Sequence, residues 1–245
     1  MHDLISNQNP DALIGLGDYQ YDNITTILTG WNLMYGPKPG GLYGTTYPTA
    51  GPLHDVDSCT DTRYQTYFGR GAETPYSFDL DAWHILSLPS SAWAYNCNPA
   101  AVTSWIQGDL AAHPTTCALA FLHEPYWSRP TAAHSRTIAL RPWIQALYAG
   151  GADVLLQAHQ HDYQRFYPQN PDDVRDDARG IQSFVVGTGG VSLFPFTGTV
   201  ANVAASDDTT YGALRLTLHA DSYDWEFQRA AGGIFTDGPG RGTCH

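Results

Sequence analysis

Three short apolar runs constrain this chain more than any other feature. They lie in "ALIGLGDYQY", "CALAFLHEP" and "ADVLLQAHQH", and each runs straight into a polar side chain. Apolar runs of this length bounded by turn signals read as strands, the first over Ala12 to Leu16. The last two lack polar alternation, as strands covered on both faces do. "IQSFVVGTGG" reads as another buried strand, and "PYSFDLDAWHILSLPS" as two strands tightly joined around Leu80–Ala82. "NPAAVTSWIQGDLAAH" reads as a helix, with Asn98 as cap, Pro99 in the first turn, and Val102, Trp105, Ile106 and Leu110 on one face. "TIALRPWIQALYAGG" reads as a second helix, closed by Gly150-Gly151. "YGALRLTLHADSYDWEFQRAAG" alternates apolar and polar residues about a turn, the signature of a hairpin. Residues 36–58, rich in Gly, Pro and Thr, read as a long loop. Strands outnumber helices, and the helices fall between strands. That predicts a single α/β domain over residues 1–245, built on two sheets.

Composition narrows the function. Aromatic residues make up 13% of the 245 positions and charged residues only 15%, which suits a substantial core. No apolar run approaches the ~18 residues of a membrane span. The net charge is −12 and Lys38 is the only lysine, so nucleic acid is excluded as a general partner. A small anionic substrate would need local positive charge, and a metal supplies it. Cys59, Cys97, Cys117 and Cys244 form no CxxC pair. Long spacings and an even number fit two disulfides and a secreted or periplasmic protein whose leader is absent; four buried thiols are the competing reading.

The three junctions supply Asp18 and Tyr21, then His123, then His159 and His161. Carboxylate, phenol and imidazole together suit iron, zinc or manganese. Each alone means little, since a Gly-Asp turn is usually only a turn and a histidine before the Glu-Pro of "HEP" is usually structural. Their joint recurrence at strand ends, where layered α/β folds build sites, is far more specific.

The pattern resembles the calcineurin-like metallophosphoesterases, in particular the branch of purple acid phosphatases and related bacterial secreted phosphatases. "GLGDYQY" is similar to the Gly-Asp-x-x-Tyr block, "YPTAGPLHDV" stands where Gly-Asn-His-Asp/Glu belongs, "FLHEPYW" is similar to the histidine-bearing strand end, and "AHQHDYQRF" to Gly-His-x-His-x-Tyr-x-Arg. The resemblance implies a two-sheet β-sandwich flanked by helices. It implies Asp18 as a bridge between two ions, Tyr21 and His161 on the first, and His123 and His159 on the second. His54 would stand by the substrate as general acid or charge stabiliser. Hydrolysis of a phosphate monoester, diester or activated ester by a metal-bound hydroxide would follow. The resemblance also implies a Cys97–Cys117 bridge, leaving Cys59 to pair with Cys244.

The chain departs from that pattern. It begins at "MHDLISNQNPDAL", which resembles the helix after the strand that carries the family's first Asp, so the fold is expected to be N-terminally shortened. Leu53 replaces the Asn of Gly-Asn-His and cannot ligate, which leaves Asp55 as the nearby acid able to reach in. Ala158, Gln160 and Gln164 replace Gly, Asp and Glu. One or two ions are expected, no more than one of them tightly held. Glu124, Tyr126, Tyr163 and Arg165 are candidate substrate contacts. For Tyr126, with Trp127, core packing is the alternative; for Arg165, an ion pair with a nearby carboxylate. His84 reads as structural. Two other readings remain: a metal-free hydrolase that uses the pocket histidines as acid and base, and a degenerate, non-catalytic binding scaffold. A homodimer would cover sheet edges left open by a missing strand.

Overall fold

The computed structural model describes residues 1–19, 21, 31, 35–36, 41–69, 71 and 74–245. Lys38 and part of the 36–58 stretch lie outside them. Among the described residues twelve strands are numbered in chain order. They are β1 (Leu13–Gly15), β2 (Thr46–Pro48), β3 (Tyr76–Leu80), β4 (Trp83–Ser87), β5 (Cys117–Phe121), β6 (Val154–Gln157), β7 (Tyr163–Phe166), β8 (Gln182–Val186), β9 (Val203–Asp207), β10 (Gly212–Leu218), β11 (Ser222–Arg229) and β12 (Gly240–Thr243). The helices numbered among the described residues are α1 (His2–Ser6), α2 (Arg63–Phe68), α3 (Ser90–Ala94), α4 (Pro99–Ala112) and α5 (Arg141–Ala149).

Seven strands form one mixed sheet in the order β3-β4-β5-β6-β8-β7-β9. Its middle, β4 to β5 to β6 to β8, is parallel. The pleat sorts the side chains onto two faces. Leu86, Ala118, Ala120, Leu122 and Leu155 pack under Val102 and Ile106 of α4 and Trp143 and Leu147 of α5. Their neighbours Ile85, Leu119, Phe121, Val154 and Leu156 face the other way, onto Tyr223 and Phe227 of the β10-β11-β12 sheet. The architecture is therefore the expected two-sheet α/β sandwich with helices on an outer face.

Local expectations hold where the chemistry is local. Asn98 adopts a left-handed conformation and its side chain accepts the Ala101 N–H, capping α4. Gly151 takes φ +80° just past α5. The 36–58 stretch is not all loop: β2 lies within it and pairs in parallel with β1, and Tyr47 stacks on Phe78 at 3.8 Å. The polar segment after His161 also yields a strand, β7, between β8 and β9.

The disulfides are Cys59–Cys97 and Cys117–Cys244, which corrects the Cys97–Cys117 and Cys59–Cys244 expectation. The pleat is the reason. Cys97 packs against the helical-face core, whereas Cys117 points into the opposite one, where Cys244 also lies.

His84 is structural, as expected. It is buried on β4 with Nδ1 2.6 Å from Asp79 of β3 and Nε2 2.7 Å from Asp109 of α4. Burial disfavours its charge, but the two carboxylates outweigh burial and raise its pKa above the ordinary value. A raised pKa gives stability that is complete below the unfolded value near 6.5 and is lost as pH rises through the folded one. Denaturant titrations of His84→Gln should therefore show a flatter loss of stability between pH 6 and 9 than the wild type; parallel curves would contradict this.

Candidate metal centre

The site forms where β1, β5 and β6 end. Past β1 the chain turns through Gly17 at φ +94° and Asp18 at φ +55°. A Cβ on Gly17 would stand 2.6 Å from His123 Nδ1, and one on Gly51 2.5 Å from His123 Cδ2, so both positions require glycine. His159 holds φ +62°, a strained conformation for a residue with a Cβ and one that clusters at functional sites.

Asp55 clamps these turns. Its buried carboxylate accepts the N–H groups of Asp18 at 3.0 Å, Tyr19 at 2.9 Å and Gly51 at 2.8 Å. Burial and the Asp18 charge raise its pKa. Asp55 therefore spends its carboxylate on the loop N–H groups around Asp18 and Gly51.

Asp18 divides the centre in two. On one side its Oδ1 lies 3.3 Å from His123 Nε2, which lies 3.2 Å from His159 Nδ1. These three ligand atoms all fall within 4.8 Å of one another. On the other side Tyr21 donates its hydroxyl to Asp18 Oδ2 at 2.7 Å and sits 3.0 Å from His161 Nε2. The ring nitrogens are aimed by their opposite edges: His123 Nδ1 bonds the Leu16 carbonyl and His161 Nδ1 bonds Ser192, both at 2.8 Å. Such outer contacts fix the tautomer that presents Nε2 as a ligand. The His54 ring lies 4.4 Å from that of Tyr21.

The electrostatics favour a cation. Burial works against charge on His123, yet Asp18, Asp55 and Glu124 together raise its pKa. Burial and the neighbouring imidazoles His123 and His134 push His159 down to about 3, so it is a neutral donor. Asp18 Oδ1 is buried with no hydrogen-bond partner. Two ligands on a tetrahedral zinc, at about 2.0–2.1 Å each, stand about 3.3 Å apart, close to both separations at His123. The donor set of Asp18, His123 and His159 therefore fits a transition metal. In the Tyr21 half the phenol is held protonated by burial and by Asp18.

The substrate candidates separate. Glu124 is buried beside the cluster, 3.8 Å from His159 Nε2, and accepts the Thr137 hydroxyl. Burial raises its pKa. Tyr126 is in the core with its hydroxyl on the Pro171 carbonyl, and Trp127 is buried beside it, as the packing alternative had it. Tyr163 is fully buried, and its hydroxyl and the Arg165 guanidinium both bind Asp237. Those contacts turn Tyr163 and Arg165 to Asp237, the ion-pair alternative for Arg165.

Sequence reading missed two parts of the centre. The His134 ring lies 4.1 Å from His159 and 6.4 Å from His161, on a turn that the Thr131 hydroxyl pins through the His134 N–H. Phe194 stacks on His161 at 4.2 Å. Neither follows an apolar run, so no strand-end signal marked them.

Leu53, at φ +71°, is two-thirds exposed next to His54. A left-handed conformation costs a residue with a Cβ about 1–2 kcal/mol. Leu53→Gly should therefore stabilise the protein by about 1 kcal/mol; a lower midpoint in denaturant would contradict that.

No protein-family profile matches the chain, and no curated protein matches it. Solved structures do. A purple acid phosphatase, PPD1 from yellow lupin (Lupinus luteus) seeds, is 15% identical with a TM-score of 0.69, covering 96% of this chain and 48% of that one. GAP50, described as the anchor in the inner membrane complex of Plasmodium, is 11% identical with a TM-score of 0.66, over 100% of this chain and 82% of that one. PhoD is 11% identical with a TM-score of 0.63, over 98% and 65%. The fold is thus that of the metallophosphoesterases. The chain spans about half of the lupin phosphatase and about two-thirds of PhoD.

Proposed function

We propose that this protein hydrolyses small phosphate esters with the help of a transition metal held by Asp18, His123 and His159. The observation that carries the reading is the unpartnered, buried Asp18 Oδ1 facing two imidazole nitrogens. Tyr21 and His161 would hold a second, weaker ion, because the Tyr21 phenol must first lose a proton that burial and Asp18 secure. A metal bound here supplies Lewis acidity toward a phosphoryl oxygen and lowers the pKa of water. The protein's own groups do the rest. Gly17 and Gly51 let the loops approach His123 closely, Asp55 fixes them, and His54, packed on Tyr21, would give a proton to the leaving oxygen. Two disulfides suit a secreted or periplasmic setting. No helix among the described residues is long and apolar enough to cross a membrane.

A second reading, a scaffold that keeps the fold without the chemistry, draws on Leu53, which has no donor atom in the loop beside His54. Elemental mass spectrometry separates the two. About one equivalent of iron, zinc or manganese, with p-nitrophenyl phosphate or bis-p-nitrophenyl phosphate turnover lost on chelation and regained on metal return, is the expected result. Turnover that survives chelation points to the metal-free hydrolase; no metal and no turnover after supplementation leaves the scaffold.

A further inference from the structure

A second group of metal-ligating side chains is built on β3, β4 and α4, elements that give no side chain to the Asp18 centre. Asp79 of β3 and His84 of β4 stand directly opposite each other in their antiparallel pair, so they share a face. Asp109 lies in the last turn of α4, and His113, four residues on, caps its end. That spacing puts both on one side of the helix. The two pairs meet. His84 Nδ1 lies 2.6 Å from Asp79 Oδ1, and His84 Nε2 lies 2.7 Å from Asp109 Oδ2. The other Asp109 oxygen lies 3.5 Å from His113 Nδ1 and accepts the Ser77 hydroxyl at 2.9 Å. One ligand atom from each of His84, Asp109 and His113 falls within 4.8 Å of the others.

An ion pair accounts for Asp79, His84 and Asp109 but not for His113. The His113 ring lies over that of His84 at 4.5 Å, which brings a second imidazole to a carboxylate already bonded to one. Two imidazoles and a carboxylate are a zinc donor set that leaves the fourth position to water. Ligands about 2.0–2.2 Å from zinc stand about 3.3–3.5 Å apart, and the two separations at Asp109, 2.7 and 3.5 Å, bracket that span. Asp79 plays the supporting part, since a carboxylate on the far nitrogen of a histidine fixes the tautomer that offers Nε2. The negative end of the α4 dipole favours a cation at the same place. The His84 and Asp109 side chains are buried, whereas His113 is half exposed. To ligate, His113 leaves the stack and the Asp109 carbonyl that its Nδ1 contacts at 2.8 Å, a rotation open to an exposed side chain.

We propose that His84, Asp109 and His113 bind a divalent transition ion of the zinc type, separately from the Asp18 centre. The ion takes the place of the proton between His84 Nε2 and Asp109 Oδ2, which passes to solvent, and ties the β3–β4 edge to the end of α4. The titration of His84 described above is that of the ion-free chain.

The probe is zinc chloride, dialysed against the chelator-stripped full chain and counted by elemental mass spectrometry. His113→Ala and His113→Gln should each bind one zinc fewer than the parent, or bind that ion at least about 100-fold weaker, since loss of an outer-shell partner alone costs about 10–100-fold. Gln keeps an N–H for the Asp109 carbonyl but is a poor zinc ligand, so the second variant separates ligation from helix capping. The same equivalent should be lost when either change is made in His123→Ala, which keeps the result independent of the Asp18 centre. Zinc should also raise the Tm of His123→Ala by several degrees and leave that of His113→Ala/His123→Ala unmoved. Unchanged zinc content in either His113 variant overturns the proposal. Magnesium bound as tightly as zinc at the His113-dependent site would overturn the class of ion, because imidazole donors select zinc.

Discussion

His123→Ala should release the metal and all but abolish phosphoester turnover. His123 is the centre's pivot, with Nε2 near both Asp18 Oδ1 and His159 Nδ1 and Nδ1 tied to the Leu16 carbonyl. Losing a mere outer-shell partner typically costs about 10–100-fold in metal affinity, so loss of the ligand itself should cost more than about 100-fold. Turnover should fall on the order of 10²–10³-fold at saturating metal, the scale seen when one preorganised electrostatic contact to a transition state is removed. The variant also removes the imidazole that faces the Asp18 and Asp55 carboxylates. Circular dichroism must therefore show the fold intact before the kinetics are read. His134→Ala is the companion measurement. His134 packs on His159 but lies outside the group of three ligand atoms, so that variant should keep its metal. If His123→Ala binds metal as tightly as the wild type, the assignment of Asp18, His123 and His159 fails.

The contrast between His123 and His134 shows what a sequence can disclose here. His123 and His159 follow β5 and β6, parallel neighbours whose ends fall together, and Asp18 follows β1 of the two-stranded sheet, whose end meets theirs. Period and turn chemistry are local, so α4 with its Asn98 cap was equally legible. His134 reaches the centre from a loop, held by Thr131, and no periodicity encodes that approach. The same limit hid β7, which reads as polar. Its Tyr163 and Arg165 are made compatible with burial by Asp237, 74 and 72 positions away, and Gln164 by Asp162. It hid the disulfides too, because which face Cys117 takes depends on the sheet's final register.

Removing the Cys117–Cys244 bridge, as Cys117→Ala/Cys244→Ala, should be the most destabilising change that leaves the metal centre untouched. The bridge spans 127 residues, against 38 for Cys59–Cys97. Loop-closure entropy puts the longer one at about 5 kcal/mol and the shorter at about 4. Domains of this size have total stabilities of about 5–15 kcal/mol. A fall of about 10–15 °C in Tm is therefore expected. The bridge also anchors the C-terminus: next to Cys244, the His245 N–H and imidazole both reach the buried Asp153 carboxylate, at 2.9 and 2.8 Å. Releasing it leaves Asp153 with the Ala118 N–H. The shorter bridge behaves differently. Cys59 closes the loop that carries Leu53, His54 and Asp55, and Tyr95, two residues before Cys97, accepts the Leu53 N–H and donates to the Val56 carbonyl. Cys59→Ala/Cys97→Ala should thus cost less stability but more turnover, since the Asp55 clamp on the Asp18 turn loosens. Calorimetry and kinetics on the two double variants decide the matter. A smaller Tm loss for the 127-residue bridge than for the 38-residue one would refute the chain-entropy argument. Unchanged turnover without Cys59 and Cys97 would free the metal centre from dependence on that loop.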